Sequence, residues 1–274
     1  MRKYILLIFI MIMNIGLYAN NEKPFVIPEI KHWESYSGDF IITNKTRIVC
    51  NRSNNELFEV AQLLSSDYEK MFGIKLKVED RISKGGVINF NIVNNDNYGD
   101  EAYYIDIHEN VVITANSIRG AIWATRTILQ IAEQNNQSLP KGRIIDYPDY
   151  EMRSFMLDCG RKFIPIHFLH EYVDFMSYYK MNTFHIHLND NAFKQYFDND
   201  WNKTPSGFRL ESDYFPGLTS RDGYYTKEEF IELIPGIKQY PLNIEFDNNE
   251  IIVCQQQPTQ NTITNFVQDF FTNP

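Results

Sequence analysis

The order of segments after Arg153 constrains this chain most. Arg153–Gly160 (R-S-F-M-L-D-C-G) is a mostly apolar strand ending in a polar turn. Pro165–Asn182 places Leu169, Tyr172, Val173, Met176 and Tyr179 at helical spacing, and Thr183–Asp190 (T-F-H-I-H-L-N-D) is the next strand. A long polar-aromatic loop, Asn191–Tyr225, leads to Thr226, an N-cap followed by Glu228 and Glu229, and Leu242–Asp247 is a third strand. Strands separated by helices pair in parallel through right-handed crossovers. The pattern therefore opens either a (β/α) barrel or a doubly wound sheet. The long loop favours a barrel, whose functional loops leave the C-terminal ends of the strands. Pro235-Gly236 is expected to interrupt the last helix.

Residues 24–146 follow a different plan. Asn54–Phe72 is a helix, with Leu57, Val60, Ala61, Leu64, Tyr68 and Met71 on one side and Gly73 just past its end. Ser117–Gln134 is a second, with Ile118, Ala121, Ile122, Thr125, Ile128 and Leu129 on one stripe. Arg47–Cys50, Lys75–Val78 and Val87–Val93 are extended, and Tyr103–His108 with Val111–Ala115 form a hairpin around Glu109-Asn110. Two helices over one face of a mostly antiparallel sheet make a small α+β domain.

Arg2 and Lys3 precede an almost wholly apolar run, Tyr4–Leu17, so residues 1–19 read as an export signal cleaved after Ala19. The run falls short of the ~20 residues that span a bilayer. A secreted or periplasmic protein is expected, with no membrane span after cleavage. With 35 acidic against 26 basic residues the chain carries a net charge of −9, which argues against nucleic acid as a partner. The odd cysteine count (Cys50, Cys159, Cys254) excludes a complete disulfide framework, although a Cys50–Cys159 bridge stays open. The tail 248–274, rich in Asn, Gln and Thr, differs in texture from everything before it.

Two groupings invite chemical readings. His185 and His187 lie at i, i+2 on one strand face with Asp190 nearby, as in some metal sites. No His follows His187, so further ligands are missing and packed strand histidines are expected, with no metal. Gly99-Asp100-Glu101 holds an adjacent acid pair, yet it precedes a strand among Asn-rich residues and reads as a turn.

Longer motifs carry a resemblance. Asp146-Tyr-Pro-Asp-Tyr-Glu-Met-Arg-Ser-Phe-Met-Leu-Asp-Cys-Gly-Arg-Lys-Phe163 resembles the entry into the barrel of glycoside hydrolase family 20, the β-N-acetylhexosaminidases. Met181–Asp190 resembles the second strand of that family, and Tyr214–Thr219 and Gly223–Glu229 the loop and helix that follow. Gly99–Tyr104 and Arg119–Gln130 resemble the small domain ahead of the barrel. The resemblance implies an α/β protein: a small α+β domain followed by an incomplete (β/α)8 TIM-type barrel over residues 152–247. It implies hydrolysis of terminal β-linked N-acetylhexosamine, assisted by the substrate's own acetamide, with no cofactor. Arg153 would reach the sugar hydroxyls, and Asp190 would bind substrate or act as a relay carboxylate.

The departures are concentrated. The Gly-Gly-Asp-Glu that carries the acetamide-orienting Asp and the acid Glu is absent, so no catalytic pair is expected in this chain. Asn191 replaces the second Asp of the usual pair, and Asn243-Ile-Glu-Phe-Asp247 lacks the His of the third-strand motif. Residues 152–274 also fall well short of the ~250 that a closed barrel takes. The expectation is an inactive fragment of a glycosidase, cut or frameshifted near Leu233. The alternative is a glycan-binding pseudoenzyme that keeps affinity for N-acetylhexosamine-terminated glycans.

Overall fold

The computed structural model describes residues 20–80, 86–93, 97–200, 202–211 and 219–245. The export segment, the Tyr214–Leu218 part of the loop motif, Asp247 and the 248–274 tail lie outside the described residues. The chain divides into two compact units, Met1–Asp149 and Tyr150–Pro274.

The first unit contains strands β1 (His32–Ile41), β2 (Arg47–Val49), β3 (Lys77–Glu79), β4 (Val87–Ile92), β5 (Tyr103–Ile107), β6 (Val111–Ala115) and β7 (Ser138–Asp146). Helix α1 (Asn55–Phe72) follows β2, and α2 (Ile118–Gln134) follows β6. The sheet order is β1-β7-β5-β6-β4-β2-β3. The pairs β1–β7, β7–β5 and β5–β6 are antiparallel, whereas β6–β4, β4–β2 and β2–β3 are parallel. The sheet, expected to be mostly antiparallel, is parallel in half of its pairings, because α1 and α2 are crossover helices as well as a cover.

Both helices end on the residues that the sequence marks. The side chain of Asn54 accepts from the N–H of Leu57, and Gly73 adopts φ 70° to close the last turn. The Ser117 hydroxyl accepts from the N–H groups of Arg119 and Gly120. Helix α2 is buried on nearly every side, from Gly120 to Ala132, since it packs on the sheet and on α1. A Cβ at Gly120 would come within 2.5 Å of the Ala102 carbonyl, so glycine is what lets the helix start so close to β5. Glu101 accepts from the indole N–H of buried Trp123 at 2.8 Å, and the Asp100 carbonyl accepts from Ser117. The Gly99-Asp100-Glu101 turn is thus a structural one, with the Glu101 carboxylate and the Asp100 backbone tying it to the start of α2.

The sequence reading missed β1 and β7. Pro140 and Gly142 make β7 look like a turn, but Pro140 pairs with Asp39 where the β1 register shifts, a place that needs no regular ladder bond. Gly142 lies beneath Trp33, whose ring would meet a Cβ at 2.2 Å.

The second unit begins with β8 (Ser154–Asp158), α3 (Ile166–Tyr178) and β9 (Thr183–His187). A small antiparallel hairpin follows, β10 (Asn189–Asn191) with β11 (Ser206–Phe208), then α4 (Lys227–Gln239) and β12 (Asn243–Glu245). Strands β8 and β12 flank β9, both parallel to it. Phe184 and Ile186 of β9 are buried, as are Leu169, Val173 and Met176 of α3, and Tyr172 stacks on Phe155 and Phe184. That period of two turns His185 and His187 to the opposite face, level with Met156 and Asp158. Thr226 and Glu229 cap α4 reciprocally, hydroxyl to N–H at 3.1 Å and N–H to carboxylate at 2.9 Å. Helix α4 runs on through Pro235-Gly236, where the sequence suggested a break. Phe230 and Leu233 bury its first half, and the Tyr240 hydroxyl donates to Asp174 of α3 just past its end. Anchorage at both ends outweighs the backbone hydrogen bond that a proline removes.

Candidate active site at the ends of β8 and β9

Strand β8 ends at Asp158 and β9 at His187, side by side in the register. The turn after β8 carries Arg161, and β10 carries Asp190. Arg161 spans the two carboxylates, Nη1 to Asp158 at 2.6 Å and Nη2 to Asp190 at 2.5 Å. Nε2 of His187 lies 2.7 Å from the same Asp190 oxygen, while the other oxygen accepts from the backbone N–H of Asn191 at 2.6 Å. Asp190 is thus the hub of an Arg–Asp–His arrangement at the C-terminal ends of parallel strands, the end from which a barrel works. The guanidinium fork has more N–H donors than these two side chains use among the described residues.

Backbone contacts fix the hub. The N–H groups of Cys159 and Gly160 both donate to the His187 carbonyl at 2.9 Å. A Cβ at Gly160 would stand 2.8 Å from the Asp190 nitrogen, and one at Gly207 2.2 Å from the Gly160 carbonyl. Above them lies Arg209, 2% exposed. It donates to the Cys159 and Gly160 carbonyls at 2.8 and 3.0 Å and to Gly223 at 2.8 Å, and it forks onto Asp222 at 2.7 and 3.1 Å. Arg209 ties the turn that carries Arg161 to the far end of the loop. Sequence reasoning did not single out Arg209 or Arg161. An arginine inside a loop gives no burial signal, although Arg161 stands within the quoted motif.

Arg153 and Arg161 are eight positions apart, on opposite ends of one strand. The Arg153 Nε donates to the Lys180 carbonyl at 2.7 Å and its Nη1 to the Tyr150 carbonyl at 2.8 Å, where β8 begins. Five strand residues at ~3.3 Å each put ~16 Å of chain between that end and Asp158. The sugar contact expected of Arg153 is corrected on this ground: the strand points Arg153 away from Asp190 and delivers Arg161 to it. Asn191 accepts the Ser206 hydroxyl across the β10–β11 hairpin, so its amide closes the hairpin.

Burial raises the thiols of Cys50 and Cys159 above the usual range, and both are free, so the open Cys50–Cys159 bridge is absent and neither thiol is poised as a nucleophile. Among the described residues no group of three His, Cys, Asp or Glu side chains gathers as metal ligands. Burial pushes the Asp158 carboxyl up, but the backbone N–H and guanidinium of Arg161 outweigh it and hold it below its ordinary 3.8. A depressed carboxylate adds stability that is present above its ordinary pKa and lost as pH falls through the folded value. Asp158→Asn is therefore expected to flatten the loss of stability between about pH 5 and pH 2. Urea midpoints across that range check it, and an unchanged acid limb would refute it.

A strand–helix–strand unit with a charged cluster at the C-terminal strand ends, preceded by a mixed-sheet domain, is an α/β scaffold of the kind that opens a barrel or a doubly wound sheet. Residues 23–147 match Glycosyl hydrolase family 20, domain 2, and residues 150–244 match the Glycosyl hydrolase family 20 catalytic domain. The chain belongs to glycosyl hydrolase family 20. It is 29% identical over 159 residues to β-hexosaminidase subunit A2 of Dictyostelium discoideum, covering 54% of this chain and 27% of that protein. It is 35% identical over 126 residues to a β-hexosaminidase of Akkermansia muciniphila, covering 42% and 24%. The GH20 β-N-acetylhexosaminidase of Streptomyces coelicolor A3(2) superposes with a TM-score of 0.69 at 26% identity, covering 83% of this chain and 47% of that one. A Streptomyces plicatus β-hexosaminidase in complex with its product GlcNAc gives 0.69 at 25% identity, covering 83% and 46%. The chain thus spans about a quarter of those two curated relatives and under half of these solved chains.

Proposed function

We propose that the chain is the sugar-holding part of a β-N-acetylhexosaminidase: it binds a terminal β-linked N-acetylhexosamine at Arg161 and Asp190. The observation that carries this is Asp190 fixed from two sides, by Arg161 at 2.5 Å and His187 at 2.7 Å, at the working ends of β8 and β9. A hexosamine offers neighbouring hydroxyls, each both donor and acceptor. Asp190 accepts from one, and the spare donors of the Arg161 fork serve the next. His187 keeps Asp190 oriented. Hydrolysis needs more: in substrate-assisted chemistry one carboxylate orients the acetamide and a carboxylic acid protonates the leaving oxygen. No Gly-Gly-Asp-Glu occurs in the 274 residues, and Glu101 is engaged by Trp123. Binding without turnover is the reading for this sequence, and export through residues 1–19 belongs to the same proposal.

Calorimetric titration of the full chain with N-acetylglucosamine tests it, with glucose as control and a nitrophenyl N-acetyl-β-glucosaminide as substrate. Saturable binding of the acetamido sugar without nitrophenol release is expected. Absence of binding overturns the sugar site, and nitrophenol release abolished by Glu101→Gln overturns the structural role of Glu101.

A further inference from the structure

We propose that Asp158 is the positioning residue of this site: it fixes the Arg161 guanidinium so that the remaining donors of the fork are set for sugar hydroxyls before a sugar arrives. The proposal rests on the sugar site above and adds the residue that pre-organises it.

Asp158 holds Arg161 twice. Its Oδ1 accepts from the Arg161 backbone N–H at 2.9 Å, and its Oδ2 accepts from Nη1 at 2.6 Å. One carboxylate three residues back therefore sets both the turn Asp158-Cys159-Gly160-Arg161 and the direction of the side chain that leaves it. Asp158 is the last residue of β8 and stands opposite His187 in the ladder, so this acceptor is carried by a strand. Arg161 lies past the strand and takes its footing from Asp158.

The other two neighbours of the guanidinium do less to orient it. Asp190 takes Nη2 at 2.5 Å, but the same carboxylate oxygen is shared with His187, and in the sugar site it also receives a hydroxyl. The Phe193 ring, centred 4.9 Å from the guanidinium carbon, attracts the cation without fixing the directions of its N–H groups. The hydrogen bond to Asp158 is also the main cause that lifts the Arg161 guanidinium above its ordinary pKa, ahead of Asp190.

The Arg161 side chain is 36% exposed and that of Asp158 28%, so water screens the pair and limits what its charge adds to stability. Two bonds from one carboxylate supply orientation instead. A mobile arginine has to be ordered by its ligand, and ordering one such side chain costs about 3- to 10-fold in affinity.

The test titrates N-acetylglucosamine onto the full chain and onto its Asp158→Asn, Asp158→Ala, Arg161→Ala and doubly substituted Asp158→Asn/Arg161→Ala variants, with melting curves to show that each is folded. Asp158→Asn keeps an oxygen for the backbone N–H and loses the anionic grip on Nη1. It is expected to weaken binding by about 3- to 10-fold, and Asp158→Ala by more. In the Arg161→Ala background the same Asp158→Asn change should alter affinity by less than about 2-fold, because Asp158 acts through Arg161. Equal losses in the two backgrounds, or an affinity that Asp158→Asn leaves unchanged, overturn the positioning role and leave the sugar site standing. An unaltered chain that does not bind the sugar overturns both.

Discussion

Arg209→Ala is expected to lower the stability of the second unit by about 3–5 kcal/mol and to leave the first unit unchanged. The change strips partners from the carbonyls of Cys159, Gly160 and Gly223 and empties a buried volume next to Phe163 and Tyr225. Each unsatisfied buried carbonyl costs on the order of 1–3 kcal/mol, which sets the total. Asp222→Asn should cost much less. Its side chain is 69% exposed, so water replaces most of what the carboxylate supplies. Hydrogen exchange followed separately in residues 20–149 and 150–245 distinguishes the two units. Equal loss in both, or none in the second, would refute a clamp local to the β8 turn.

Arg161→Ala is expected to weaken N-acetylglucosamine binding by about 10- to 100-fold, the worth of charge-assisted hydrogen bonds to hydroxyls. Arg161→Lys should fall between, since it keeps the charge but loses the fork. Arg153→Ala should leave that affinity unchanged and instead lower the melting temperature, because its bonds go to the Lys180 and Tyr150 carbonyls. The reverse pattern, binding lost with Arg153 and kept without Arg161, would return the assignment to the start of the strand.

The contrast between these two arginines shows how much of the site was legible. The motif from Asp146 to Phe163 contains both, and either residue suits a sugar hydroxyl. What separates them is the length of β8: a strand of five residues carries one guanidinium to the N-terminal end and the other to the C-terminal end. Asp190 was legible through the resemblance of Met181–Asp190 to the family's second strand, although in the structure it stands in β10, after β9 has ended at His187. Its partnership with His187 follows from the chain bending into β10 straight after β9, and no spacing rule announces that bend. Arg209 was invisible, since an arginine in a 35-residue loop reads as solvent-facing unless the carbonyls that bury it are known.

By itself, then, the sequence determined the extents of α1 and α2 with Gly73 past the end of α1, the N-cap Thr226 of α4, the hairpin β5–β6, the alternation of strand and helix after Arg153 and the family motifs, because each depends on neighbours within a few residues. Only the tertiary structure decided the mixed sheet with β7 inside it, the continuity of α4 through Pro235, and the placement of Arg161, not Arg153, beside Asp190. The first two turn on contacts between segments far apart in the chain, Gly142 under Trp33 and Tyr240 against Asp174, where distant packing outweighed a local preference worth only about 1–3 kcal/mol. The third follows from the five-residue length of β8 together with the turn that carries Arg161 back to β10.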